Sequence, residues 1–72
     1  MFYATVHNGH YINFYDVKSN LMVGSHYIPE NVKSVQVISQ NEVVVYCEKS
    51  VIVLKRYNGN AVSFSVYSRR AI

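Results

Sequence analysis

The chain has 72 residues, room for one domain, with 50% hydrophobic and only 15% charged residues at a net charge of +3. A domain this short buries roughly 60% of its unfolded surface, so its core is marginal, and a single cysteine, Cys47, excludes an internal disulfide as the remedy. No Cys/His cluster has zinc spacing, and the longest apolar run, Val43–Cys47, is far too short to cross a membrane. The first residues show neither the basic nor the apolar region of a secretory signal, and with a free thiol the expected home is the cytoplasm.

The expected elements are all strands. The first, Phe2–His7, and the second, His10–Val17, flank Asn8-Gly9, a dipeptide suited to a tight hairpin because both turn positions need positive φ. A two-residue turn there sets His7 opposite His10. Lys18-Ser19-Asn20 turns the chain into Leu21–Ile28, which Pro29 stops because proline cannot donate to a ladder. Pro29-Glu30-Asn31 makes a turn or one helical turn. Val32–Ile38 follows, then the turn Ser39-Gln40-Asn41, then Glu42–Cys47. That fifth run is continuously apolar from Val43, so a central strand covered on both faces is expected. Glu48-Lys49-Ser50 leads to Val51–Tyr57, and a second Asn-Gly turn, Asn58-Gly59, to Ala61–Tyr67. There Val62, Phe64 and Val66 alternate with Ser63, Ser65 and Tyr67, the pattern of a half-buried antiparallel strand. Residues 68–72 read as a flexible tail. No run has a helical period. The fold class is therefore all-β, about seven short antiparallel strands in a meander closed as a small barrel or sandwich.

Residues 4–23 and 43–62 align at an offset of 39, with Val6 on Val45, Ile12 on Val51, Phe14 on Val53 and Val23 on Val62. The segment Ile12–Asn20 resembles the third strand and following turn of a WD-type β-propeller blade, with Tyr15-Asp16 in place of Trp-Asp. The resemblance implies blade-like four-stranded sheets, residues 32–67 forming one blade and 2–28 three strands of another. It also implies a binding scaffold whose ring is completed by oligomerisation.

Chemical motifs are sparse. His7, His10 and His26 lack a carboxylate or thiol at matched spacing, so no metal or other cofactor is expected. Cys47 closes an apolar run and reads as a small buried hydrophobe rather than a nucleophile. The carboxylates Asp16, Glu30, Glu42 and Glu48 fall in or beside turns, and the three glycines are too scattered for a phosphate loop. No enzymatic activity is expected.

Seven tyrosines carry the functional hint, because a large ring with a polar tip suits contact surfaces. With Ile12 and Phe14 facing inward, Tyr11 and Tyr15 face out, as does Tyr67. Four of the seven cations, Lys55, Arg56, Arg69 and Arg70, follow residue 54 and lie near Tyr57 and Tyr67. The expected function is a non-enzymatic protein–protein interaction module that self-associates or docks on a larger partner, as a small accessory or inhibitor protein such as a virus-encoded one would. Its expected contact residues are Tyr11, Tyr15, Tyr57, Tyr67, Lys55, Arg56, Arg69 and Arg70. The alternative is a small β-barrel that binds nucleic acid through the same aromatic and basic residues.

Overall fold

Asn8 and Gly9 both take positive φ, 53° and 71°, and the chain reverses there. The computed structural model describes residues 1–56 and 63–72, and on them seven strands form: β1 (Phe2–His7), β2 (Tyr11–Asp16), β3 (Met22–Tyr27), β4 (Val32–Ser39), β5 (Glu42–Cys47), β6 (Ser50–Arg56) and β7 (Phe64–Ala71). All pairs are antiparallel. Hairpin connections keep neighbours in sequence neighbours in space, giving a three-stranded sheet, β1-β2-β3, and a four-stranded one, β4-β5-β6-β7. The two lie against each other around one core, as a sandwich rather than a closed barrel. The expected turn at Asn58-Gly59, with Tyr57 and Val62, lies outside the described residues.

Local chemistry sets each turn. His10 N–H donates to His7 O at 3.2 Å and closes the first turn, but the ladder pairs His7 with Tyr11, not with His10 as a two-residue hairpin would. His10 is left over and does other work. Its Nδ1 lies 3.0 Å from the carbonyl oxygens of both Ile28 and Glu30, a position only an N–H satisfies, and its own carbonyl accepts from Ile28 N–H at 2.6 Å. It thereby pins the crossing from the first sheet to the second. That crossing is a bend at Pro29 and Glu30, with no helical turn. At the β2–β3 turn the Asp16 carboxylate accepts from the Lys18 and Ser19 amides at 3.1 and 2.8 Å, and Asn20 takes φ 61°. These amide donors, Ser19 foremost, hold the Asp16 carboxyl below its ordinary range.

Period-two alternation fills the core. Phe2, Ile12 and Phe14 come from the first sheet and Ile28 from the crossing. Val43, Val45, Cys47, Ile52, Leu54 and Phe64 come from the second sheet. Phe14 stacks on Phe64 at 4.7 Å, and Phe2 meets both edge-on at 5.5 and 5.6 Å, favourable geometries for ring quadrupoles. These rings join the start of β1, the middle of β2 and the start of β7.

Two expectations need correction. β5 is flanked by strands on both edges, yet only Val43, Val45 and Cys47 are buried, while Val44 is half-buried and Tyr46 exposed. A second covering layer does not exist on that side, so the apolar run is covered on one face only. And residues 68–71 are not a tail. Ser68, Arg69, Arg70 and Ala71 pair with Val53, Ile52, Val51 and Ser50. A bulge at Tyr67 shifts the register between Val53 and Leu54, and Val66 is 54% exposed although it alternates with buried Phe64. The four-stranded sheet is wider than its partner, and β7 is its edge, so little of β7 beyond Phe64 is covered.

Candidate functional site

The outer face of β1–β3 is built in three rows across the strands. Antiparallel register sets Tyr3 opposite Tyr15 and Tyr15 opposite Met22. The next row aligns Thr5, Asn13 and Ser25, and the last His7, Tyr11 and Tyr27. Two aromatic rows, roughly 13 Å apart along the strands, therefore bracket a row of small polar groups. Tyr3 and Tyr15 stack at 5.3 Å with a 17° interplanar angle, and Tyr11 and Tyr27 lean together at 5.3 Å. Ser25 Oγ donates to Asn13 Oδ1 at 2.7 Å, and the Tyr3 hydroxyl donates to Asn20 Oδ1. The rings are thus ordered before any ligand arrives, which limits the entropy lost on docking. Tyr27 is 55% exposed and Tyr11 41%.

This face carries no formally charged side chain. Residues 1–28 contain only Asp16 and Lys18, both at the β2–β3 turn. The other cations sit with the second sheet.

The expected contact residues divide accordingly. Tyr11 and Tyr15 belong to the three-row face. Lys55, Tyr67 and Arg70 lie on the opposite side of the sandwich, along β6 and β7, where Lys55 Nζ stands 3.8 Å over the Tyr67 ring. Arg56 is at the end of β6, its Nε 3.4 Å from Asn41 Oδ1. Tyr57 lies outside the described residues. Sequence reasoning missed Tyr3, Tyr27 and the Thr5–Asn13–Ser25 row. The two-residue turn expected at Asn8-Gly9 would set Tyr3 opposite Phe14, so the row emerges only from the observed register, His7 with Tyr11 and Tyr3 with Tyr15.

Arg69 is engaged at the sheet crossing, although its side chain stays half exposed. Its Nε and Nη2 grip Glu30 Oε2 and Oε1 at 2.5 and 2.9 Å, and fully buried Ser50 donates to Oε1 at 2.6 Å. The Arg69 hydrogen bonds, with help from Ser50, hold the Glu30 carboxyl down at about 2 and push the guanidinium up. This cluster ties the sheet crossing to β6 and β7 and is a structural latch. Cys47 is beside it, its thiol pushed up by burial, the opposite of an activated nucleophile. His26 faces inward opposite Ile12, half-buried, and burial lowers its pKa. Among the described residues no three His, Cys, Asp or Glu side chains gather as a metal site. No family model matches the chain, and neither a curated protein nor a solved structure is significantly similar to it.

Proposed function

We propose that this chain is a non-enzymatic protein–protein interaction module that docks through the outer face of β1–β3 and self-associates there. The observation that carries the reading is the charge-free arrangement of Tyr3, Tyr11, Tyr15 and Tyr27 around the Thr5–Asn13–Ser25 row. Interface cores are depleted of charge and enriched in tyrosine, and small hydroxyls and amides between the rings supply directional hydrogen bonds. A module of this size suits an accessory or inhibitor protein seated on a larger partner. Recognition of single-stranded nucleic acid fits less well. It needs aromatic platforms and cations in one groove, whereas four of the tyrosines are in one layer and six of the seven cations follow residue 32.

Sedimentation at micromolar concentration tests the self-association. Wild type is expected to sediment as more than a monomer, and the double variant Tyr11→Ser/Tyr27→Ser as a monomer with an unchanged strand spectrum. A wild-type monomer at every concentration removes self-association from the proposal.

A further inference from the structure

β7 ends its sheet: it pairs with β6 on one side and, among the described residues, with no strand on the other. Every residue from Ser65 to Ala71 is exposed. An open edge of this length is a template for another chain, and native proteins blunt such edges with bulges and cations. Here a bulge interrupts Tyr67, and Arg69 and Arg70 occupy the far end. Arg69 is neutralised by Glu30, whereas Arg70 has no acidic partner among the described residues. Over the face of the paired β6 and β7 lies an open groove of ≈ 430 Å³ lined by Val51, Val53, Ser68, Arg69 and Arg70.

The charges choose the occupant. Antiparallel pairing of β7 with β7 of a second copy would bring together two layers of net positive charge, since residues 29–72 hold six cations against three acids, with an unpaired Arg70 at each end of the ladder. An extended acidic strand meets the opposite situation. We propose that the β7 edge takes up an extended acidic segment of a protein partner as an added strand, a carboxylate of the segment pairing with Arg70. Backbone hydrogen bonds supply the affinity of such strand addition and the side-chain contacts its selectivity. The surface is separate from the tyrosine face, so either can fail without the other.

The test titrates the full chain at low salt with a labelled peptide of alternating glutamate and valine matched in length to β7, following backbone amide shifts. Saturable binding with shifts confined to Val66–Ala71 is expected, weakened about tenfold by Arg70→Glu and abolished by N-methylating alternate peptide amides. Should Arg70→Glu unfold, Arg70→Gln provides a milder loss in the same direction. Equal binding of the N-methylated peptide would reduce the contact to charge alone and overturn the proposal. Shifts centred on Tyr11 and Tyr27, tighter binding of oligothymidylate, or no binding would overturn it too.

Discussion

Gly9 has φ 71°, and a methyl group built there would meet nothing within 4 Å. Any cost of Gly9→Ala is therefore conformational, about 1 kcal/mol for placing an L-residue in the left-handed region, and Gly9→Asn should cost less, as asparagine tolerates it. Chemical denaturation of the two variants checks the order. Asp16, Glu30 and His26 set the response to acid. The Glu30 carboxyl titrates at about 2 in the fold against an ordinary 4.5, so its contribution is complete above pH 4.5 and lost as pH falls through about 2. His26 has a folded pKa below its ordinary 6.5, so the unfolded chain takes up that proton first and stability declines as pH drops below 6.5. Melting temperature against pH is expected to fall in two stages, the lower one, which Asp16 shares, diminished in Glu30→Gln and the upper one absent in His26→Gln.

At the scale of elements, β7 gives the sharpest test. A chain ending at Tyr67 loses the rungs from Ser68 to Ala71 and the Arg69 grip on Glu30, leaving that half of β6 as a bare edge. It is expected to melt at a lower temperature and to aggregate, where removal of a tail would change nothing. Thermal unfolding with light scattering reads both. The Ser68-Arg69-Arg70 stretch reads as a tail because an edge strand with both faces in water needs neither apolar alternation nor a continuous apolar run, the two patterns by which a strand shows in sequence. The other strands were legible for the converse reason: Ile12 and Phe14, or Ile52 and Leu54, must be buried on one face, and Asn8-Gly9 and Pro29 mark where pairing stops. The tyrosine face was half legible. Alternation shows that Tyr11 and Tyr15 point outward, but only register brings Tyr3 and Tyr27 to them. Nothing local announces that Arg69 will meet Glu30, 39 residues away in sequence.

Stability of the whole molecule rests on a small core shared by both sheets. At roughly 0.05–0.15 kcal/mol per residue, a chain of 72 residues has on the order of 4–11 kcal/mol in total. Phe14 stacks on Phe64 and touches Phe2, so Phe14→Ala is expected to cost about 3–5 kcal/mol. That is enough to leave much of the population unfolded, and urea titration followed by circular dichroism measures it. Because the three rings span both sheets, the loss should appear in β1–β3 and β4–β7 together, as one transition by amide exchange. The distribution of charge has a further consequence. Residues 1–28 hold one acid and one base, whereas residues 29–72 hold six cations against three acids, so the whole excess of +3 resides in one layer. The molecule is in effect an electric dipole with a neutral aromatic pole and a basic one. An acidic surface would exert a torque that turns the basic layer toward it and leaves the tyrosine rows pointing into solution, so that adsorption itself would present them to the next molecule to arrive.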